Sequence, residues 1–258
     1  MIRVTSAGWT VLSVGLWLTL LVPPATAQTG MSDSGGVEHF ASRQYVSQSV
    51  RDLTHILAAP GRWDGRDWIK FGIFSGAVAG TVLLLDQPVR DFSQRNRSRL
   101  SNNLGRDFKP FGSYYPFIIE SAFYLGGELS RDRRATACGL DAFTAGVISV
   151  GVIDQPLKAL IGRKRPYQNA GKFSFDPFTF DASFPSGHTT HAFALATVVS
   201  MHYPRNWVRI TSYGVASLVA LDRINDDAHF TSDVLVGAVI GTVVGRAVVL
   251  FNRKLRKL

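Results

Sequence analysis

Three short stretches in the C-terminal half of the chain hold the residue types that phosphate chemistry needs. They are Lys158-Ala-Leu-Ile-Gly-Arg-Lys-Arg-Pro166, Pro185-Ser-Gly-His188 and Arg223-Ile-Asn-Asp-Asp-Ala-His-Phe-Thr-Ser-Asp233. Together they supply cations, a glycine turn that can open a helix, two histidines and a carboxylate. Guanidinium and ammonium groups bind phosphate oxygens, and an imidazole can attack phosphorus or deliver a proton. The three stretches therefore indicate a site that holds a phosphate-like anion and transfers it to a histidine.

The first two stretches predict an anion-binding pocket. Lys158 and Arg165 are seven residues apart, which is about two helical turns, so both side chains can point to one place. Ser186 is placed to cap a helix, and the N–H of Gly187 lies at the positive end of the helix dipole. His188 then lies at the mouth of the pocket, where a general acid belongs. The alternatives are a basic helix end near a membrane surface and an ordinary serine cap with an exposed histidine.

The third stretch predicts an oriented histidine. If Thr231 or Ser232 caps a new helix, Asp233 lies in its first turn and His229 just before it. The Asp233 carboxylate can then accept a hydrogen bond from one imidazole nitrogen and leave the other nitrogen free to attack. The alternative is a helix start with a surface histidine.

The whole chain suits a single domain with an anionic partner. It has 258 residues and a formal charge of +9, which favours phosphorylated or acidic partners. The sequence shows no nucleic-acid-binding motif, so nucleic acid is not expected as a partner. Cys138 is the sole cysteine, so no intrachain disulfide can form, and we expect it to be a small buried residue. His191 is expected to have a packing or hydrogen-bonding role.

The N-terminus has the pattern of an export signal. Arg3 is followed by an uncharged apolar run from Trp9 to Val22 and by the small-x-small sequence Ala25-Thr-Ala27. We expect residues 1–27 to be a signal peptide, with an uncleaved membrane anchor as the alternative. The rest divides into a lead-in with a short amphipathic helix around Val46–Leu57, a helical domain that carries the three stretches, and a basic tail: residues 28–65, 66–252 and 253–258.

Beyond the lead-in, the apolar periodicity is helical, and breaks such as Gln87-Pro88 and Tyr203-Pro204 separate the helices. The chain is therefore predicted to be all-α, a six-helix bundle. The candidate helices are Trp68–Leu85, Tyr114–Leu129, Arg134–Ile161, His188–His202, Arg209–Leu221 and Ser232–Leu250. The basic segment from Arg90 to Lys109 is expected to be a loop.

The helices give conflicting signals about a membrane. Their Gly- and Ala-rich apolar runs favour close packing in a bilayer, yet the uncharged run from Phe71 to Leu85 is shorter than the about 20 residues that a span needs. The basic run Arg131-Asp-Arg-Arg134 and the basic tail favour the cytoplasm, whereas the basic segment from Arg90 to Lys109 would then lie outside, so charge placement does not settle the orientation. We expect a protein of the inner (cytoplasmic) membrane with a periplasm-facing site. A soluble periplasmic protein is the alternative.

An aromatic segment, Tyr167–Phe184, lies between the first two stretches. Its phenylalanines are Phe173, Phe175, Phe178, Phe180 and Phe184. Either these rings fold onto the bundle, or they form an apolar lip suited to a lipid or prenyl tail. The sequence favours neither interpretation over the other.

The three stretches resemble the motifs of the type 2 phosphatidic acid phosphatase superfamily, which also contains bacterial acid phosphatases and vanadium haloperoxidases. That family's pattern is Lys-x6-Arg-Pro, then Pro-Ser-Gly-His, then Ser-Arg-x5-His-x3-Asp. The matching residues are Lys158, Arg165, Pro166, Pro185, Ser186, Gly187, His188, Arg223, His229 and Asp233. The resemblance extends over residues 68–250 in helical layout and implies a helical bundle of that family's kind.

The resemblance also implies a phosphatase that needs no metal or other cofactor. His229 would attack phosphorus and form a phosphohistidine, His188 would protonate the leaving group, and Asp233 would orient His229. The groups that would bind the phosphate oxygens are Lys158, Arg165, Arg223, Ser186 and the N–H of Gly187.

One position departs from the family's pattern. Asp222 precedes Arg223 where the family has Ser. Asp222 can pair with Arg223 and hold its guanidinium in place, or it can weaken the local positive field. The nearby Asp226 and Asp227 are expected to lie in a solvated turn.

The expected function is hydrolysis of a lipid or isoprenoid phosphate at a membrane. Phosphatidic acid, phosphatidylglycerol phosphate, undecaprenyl diphosphate and lipid A phosphates all remain open as substrates. The alternatives are a soluble secreted acid phosphatase acting on small esters, a vanadate-dependent haloperoxidase, and a transporter or structural membrane protein without catalysis.

Overall fold

The structure is a computed structural model that describes residues 39–179 and 182–256. The expected signal peptide at residues 1–27, the beginning of the lead-in, Phe180 of the aromatic segment and the last two residues of the basic tail lie outside the described residues.

Nine α-helices make up the described part of the chain. Their bounds, in order from α1 to α9, are Arg43–Leu57, Gly65–Leu84, Asp86–Arg95, Arg99–Phe108, Tyr115–Ser130, Arg133–Ile161, Gly187–His202, Asn206–Asn225 and Thr231–Arg256. Within α6, the stretch Val147–Asp154 is π-helical. Short 3₁₀ turns cover Ala59–Arg62, Lys109–Gly112 and Pro166–Gln168.

The predicted all-α fold is confirmed. Helices α2 and α5 to α9 correspond to the six candidate helices, and α1 is the expected amphipathic helix of the lead-in. Within the described ranges the structure contains no strand, only an isolated bridge between Arg163 and Phe175. Helix α9 continues into the basic tail as far as Arg256.

The segment from Arg90 to Lys109, expected to be a loop, is instead mostly helical, in α3 and α4. Helix α4 begins with a capping box: the Ser98 hydroxyl accepts from the Ser101 N–H at 3.1 Å, and the Ser101 hydroxyl accepts from the Ser98 N–H at 3.0 Å. Pro88 lies in the first turn of α3, where a missing N–H disrupts no helical hydrogen bond. The expectation was wrong because this proline marks a helix start rather than a loop.

Helices α7 and α9 approach each other at backbone distance along small residues. Gly237, Gly241 and Gly245, here called the glycine seam, recur every four residues on α9 and face α7. A Cβ added at Gly241 would meet the backbone carbonyl of Thr190 and would lie 2.8 Å from the Ala194 nitrogen. The buried core around this contact consists of small side chains, including Ala142, Ala145, Val198, Val244 and Val248. This packing fixes the first turns of α7 and α9 against each other.

Among the described residues, three helices are long and apolar enough to cross a membrane: α2, α6 and α9. Helices α6 and α9 contribute much of their surface to the bundle. In α2, by contrast, only 6% of the apolar window is buried, and Ile69, Ile73 and Leu84 are exposed. An apolar helix left uncovered on the outside of a bundle suits a lipid environment better than water.

A buried polar cluster joins α1 to the end of the bundle opposite the start of α7. Asp141 of α6 accepts hydrogen bonds from Asn252 Nδ2 at 2.8 Å and Arg256 Nη1 at 2.7 Å, and lies 2.8 Å from His202 Nε2. Asn252 Nδ2 also donates to Asp52 of α1 at 3.2 Å. The cluster thus links α1, α6, α7 and α9 through buried polar side chains that are hydrogen-bonded to one another.

The variant Gly241→Ala is expected to lower the thermal stability of the purified protein, because its methyl group must push α7 away from α9. Overpacking of this kind costs about 1–3 kcal/mol. Gly214→Ala on α8 is the matched control, since nothing lies within 4 Å of the added Cβ there and alanine favours a helix. Equal melting temperatures for the two variants in detergent would contradict the close α7–α9 contact.

Candidate active site

The three sequence stretches meet at one end of the bundle. The Ser186 N–H donates to the Asp233 carbonyl at 3.0 Å, which joins the start of α7 to the start of α9. Lys158, buried near the end of α6, donates from Nζ to the carbonyls of Ala182 at 2.8 Å and Pro185 at 2.6 Å. These bonds attach the first stretch to the chain that leads into the second. The structure therefore brings together residues from the end of α6, the start of α7 and the turn between α8 and α9.

The two ring nitrogens of the buried His229 have different surroundings. Nδ1 lies 2.6 Å from the carbonyl oxygen of Ser183. A carbonyl can only accept, so Nδ1 carries the hydrogen and Nε2 keeps its lone pair. Nε2 lies 3.4 Å from Nη1 of Arg165, which also donates to the Ala228 carbonyl at 3.3 Å. The lone pair of His229 thus faces a guanidinium that can contact an incoming phosphate.

Asp233 does not make the hydrogen bond to His229 that the sequence predicted. Its Oδ2 lies 3.9 Å from His229 Nδ1, which is beyond hydrogen-bond distance, and the Ser183 carbonyl takes that position. Asp233 accepts instead from the Phe230 N–H at 2.8 Å and from Arg163 Nη1 at 2.6 Å. A fully buried carboxylate needs a cation and donors, and Arg163 supplies the charge. Asp233 therefore holds the turn that carries His229.

Arg163 bonds to residues from several parts of the site, and the sequence analysis did not single it out. Its buried guanidinium donates to Asp86 at 2.7 Å, to Asp233 at 2.6 Å and to the Ser232 hydroxyl at 2.8 Å. Its carbonyl accepts from the Ser183 N–H at 2.7 Å, so the same residue also supports the acceptor that orients His229.

One sequence signal was available for Arg163. Gly162 ends α6 with a left-handed backbone, φ +58°, and the chain after it is extended. Alternate residues of an extended chain share a side, so Arg163 lies on the same side as Arg165, which the motif already placed in the site. The local sequence does not show that Arg163, and not Arg165, is fully buried, because Asp86, the partner of Arg163, is distant in sequence.

Ser186 and His188 lie at the start of α7, as predicted. Ser186 is the N-cap residue, although its buried hydroxyl lies 3.0 Å from the Thr189 hydroxyl and makes no capping bond to a helix N–H. His188 is in the first turn and packs against the Lys109–Gly112 turn, where a Cβ on Gly112 would lie 2.8 Å from the His188 Cβ. His188 therefore lies in the first turn of α7 and His229 lies just before α9. The glycine seam holds these two helices together.

Burial and nearby cations keep both histidines neutral near pH 7. Burial, and then the charge of Arg223, lowers the pKa of His188 to about 3. Burial, followed by the charge of Lys158, holds the pKa of His229 well below its usual 6.5. A neutral His229 has its lone pair available for attack. His188 can gain a proton when a bound anion offsets the surrounding cations.

Arg223 is held by two carboxylates. Its Nε donates to Asp222 Oδ2 at 2.9 Å, and its Nη2 contacts both Asp222 and Asp226, the latter at 3.0 Å. Asp222 thus pairs with Arg223 and holds its guanidinium, which was the first of its two predicted roles. Asp226 and Asp227 lie in a turn, as expected, and Asp226 is partly exposed. Asp227 is not solvated as expected, because it accepts two bonds from Arg90 at 2.7 and 2.8 Å.

His191, Cys138 and the aromatic segment were also given roles from the sequence. His191 Nε2 lies 3.0 Å from Glu120 Oε1, which confirms a hydrogen-bonding role, and Cys138 is buried. In the aromatic segment, Phe173, Phe175 and Phe178 are exposed. These three rings therefore do not fold onto the bundle, and their exposure favours the interpretation of an apolar lip.

Comparison with known proteins places the chain in a family. The PAP2 superfamily model matches residues 140–257. A lipid A 1-phosphatase of Rhizobium etli is 32% identical over 199 residues, which is 70% of this chain and 82% of that protein. A lipid A 1-phosphatase of Porphyromonas gingivalis is 43% identical over 83 residues, 30% of this chain and only 19% of that much longer protein.

A solved structure shows the same fold. It is the transmembrane PAP2 type phosphatidylglycerolphosphate phosphatase of Bacillus subtilis, with a TM-score of 0.51 and 20% identity over 83% of this chain and 98% of that one. The helical bundle and these relatives define the class as a phosphoric ester hydrolase. The chain belongs to the PAP2 superfamily, which confirms the resemblance of the three motifs. The three long apolar helices among the described residues, one of them largely uncovered by the bundle, indicate a membrane protein.

Arg163→Lys is expected to lower the turnover number about tenfold or more while changing KM little, because small misplacements of reacting groups are enough to slow turnover. One ammonium cannot reproduce the planar contacts to Asp86, Asp233 and Ser232. The matched control is Lys164→Gln, at the partly exposed neighbouring cation, which should keep wild-type kinetics. Steady-state phosphate release, with melting temperatures for both variants, measures the effect. Wild-type turnover in Arg163→Lys would contradict the role given to Arg163.

Proposed function

We propose that the protein is a metal-independent phosphatase that removes a phosphate from a lipid headgroup through a phosphohistidine. The observation that carries this proposal is the setting of His229, with Nδ1 bonded to the Ser183 carbonyl and Nε2 facing Arg165. A buried imidazole with a fixed tautomer beside a guanidinium has what nucleophilic attack on a phosphate requires.

The proposed reaction has two steps. In the first, His229 Nε2 attacks phosphorus, the bond from phosphorus to the lipid oxygen breaks, and His188 gives its proton to that oxygen. In the second, water attacks phosphorus, His188 accepts a proton from the water, the bond from phosphorus to His229 Nε2 breaks, and inorganic phosphate leaves. The groups proposed to hold the phosphate oxygens are Lys158, Arg165, Arg223, the Ser186 hydroxyl and the Gly187 N–H.

Asp233 acts as a positioning residue in this proposal. It binds the Phe230 N–H directly after His229, so it fixes the backbone that carries the imidazole. The tautomer itself is set by the Ser183 carbonyl. The orienting role that the family resemblance gives to Asp233 is thus divided between Asp233 and the Ser183 carbonyl.

The proposed substrate is lipid A carrying a phosphate on its sugar headgroup. Two relatives named lipid A 1-phosphatase support this choice, and the exposed rings of Phe173 and Phe178 suit contact with acyl chains. Phosphatidic acid, phosphatidylglycerol phosphate and undecaprenyl diphosphate are the competing substrates.

We place the site on the periplasmic face of the cytoplasmic membrane. Helix α6 begins with basic residues at Arg133 and ends at the site, whereas α9 begins at the site and ends with Arg253, Lys254 and Arg256. Basic helix ends favour the cytoplasmic side. The opposite end of both helices, which holds His229, then faces the periplasm.

A phosphate-release panel tests the function. Purified protein is expected to release phosphate most efficiently from lipid A, in the presence of EDTA, with inhibition by vanadate.

His229→Ala should lower the rate at least about a thousandfold, and lipid labelled with ³²P should leave an acid-labile label only when His229 is present. His55→Ala, at an exposed histidine on α1, is the control. Full activity of His229→Ala would refute the mechanism, and release from small soluble esters alone would favour the soluble acid phosphatase.

The pH dependence follows from the two histidines. In the free enzyme the pKa of His188 is about 3, so kcat/KM should rise as pH falls below neutrality, because the protonated fraction grows. His229 should cause no loss near pH 6.5, since its pKa lies well below that value. A bound phosphate raises the pKa of His188, so kcat should persist to higher pH than kcat/KM. If kcat and kcat/KM instead declined over the same range of pH, the expected difference between the two profiles would be contradicted.

A further inference from the structure

Three cations from separate parts of the chain surround the carboxylate of Asp226. Arg223 Nη2 lies 3.0 Å and Lys109 Nζ 3.8 Å from its Oδ2, and Arg97 Nη2 lies 3.5 Å from its Oδ1. Arg223 is buried, whereas the side chains of Lys109 and Arg97 are 51% and 37% exposed. Arg223 is also paired with Asp222, so two carboxylates face three cations, and this partly exposed place keeps an excess of positive charge.

The cluster adjoins the reaction centre without being part of it. Lys109 opens the turn whose Gly112 packs against the backbone and Cβ of His188. Arg223 belongs to the proposed phosphate-binding set and reaches Asp226 with the same guanidinium nitrogen that contacts Asp222. Arg97 and Lys109 share Asp226 with Arg223, so a lipid whose scissile phosphate is bound by Arg223 would have another part of its headgroup within reach of both.

Arg97 is held in place for such a contact. Its Nε donates to Asn102 Oδ1 at 2.7 Å, and the same oxygen accepts from Asn225 Nδ2 at 3.1 Å. Its separation from Asp226, however, is longer than the 2.7–2.9 Å typical of a strong charge-assisted bond. The arginine is thus positioned from α4 and α8 while its bond to Asp226 is weak enough to be exchanged for another anion.

We propose that Arg97 and Lys109 form a second anion subsite, which binds a second phosphate on the headgroup of the same lipid. This proposal rests on the proposed function, because the first phosphate must lie at His229. Asp226 sets the selectivity of the subsite. A phosphate carries about 1.5 to 2 negative charges, so it competes with the single charge of Asp226 more effectively than a carboxylate or a neutral hydroxyl does.

The test compares two substrates that differ in one group: lipid A with both the 1- and 4′-phosphates, and lipid A with the 1-phosphate alone. Arg97→Gln is expected to raise KM about five- to tenfold for the first lipid and to leave the second unchanged. The control is Arg95→Gln, an exposed arginine at the end of α3, which should leave KM for both lipids unchanged.

Asp226→Asn supplies the opposite change in charge. It should lower KM for the doubly phosphorylated lipid by more than for the singly phosphorylated one, because the competing carboxylate is removed. Equal changes for both lipids in Arg97→Gln, or none, with an active wild type would overturn the second subsite and leave the proposed function intact. Wild-type protein that hydrolyses neither lipid would overturn both.

Discussion

The reactive end of this protein depends on one buried guanidinium. Arg163 lies between the carboxylates of Asp86, at the junction of α2 and α3, and Asp233, in the first turn of α9. A buried carboxylate left without a cation is unfavourable by several kcal/mol, so both acids stay buried only with Arg163 between them. The extended chain after α6 is thereby tied to two distant helix ends. His229 is carried on the turn that this ion cluster fixes.

How far the sequence predicts the structure depends on whether the cause is local. The six long helices were predictable because their apolar runs are long and end at prolines. Their motif residues meet because the bundle brings the end of α6 and the starts of α7 and α9 to the same side. Helices α3 and α4 were missed because a first-turn proline resembles a break. The Ser183 carbonyl was also beyond prediction, because every residue has such a group and only tertiary packing selects one.

The cations of the site have partners that orient them before any substrate binds. Lys158 donates to backbone carbonyls, Arg165 lies against His229, and Arg223 is paired with Asp222, the residue that replaces the family's serine. Such preorganisation avoids reordering long side chains during the reaction. In the proposed mechanism, the carboxylate beside Arg223 would reduce its attraction for phosphate and so ease the departure of the phosphate product.

The glycine seam has a consequence for how proteins of this architecture diversify. His188 lies in the first turn of α7, His229 lies two residues before α9, and Gly237, Gly241 and Gly245 hold these helices at backbone contact. The separation of the two imidazoles is therefore built into the scaffold and does not depend on the lipid. Helix α4 and the aromatic segment lie outside that contact and are more exposed. If the proposed mechanism holds, mutations there can change which lipid is selected while the two histidines keep their separation, so new substrate preferences can evolve without rebuilding the chemistry.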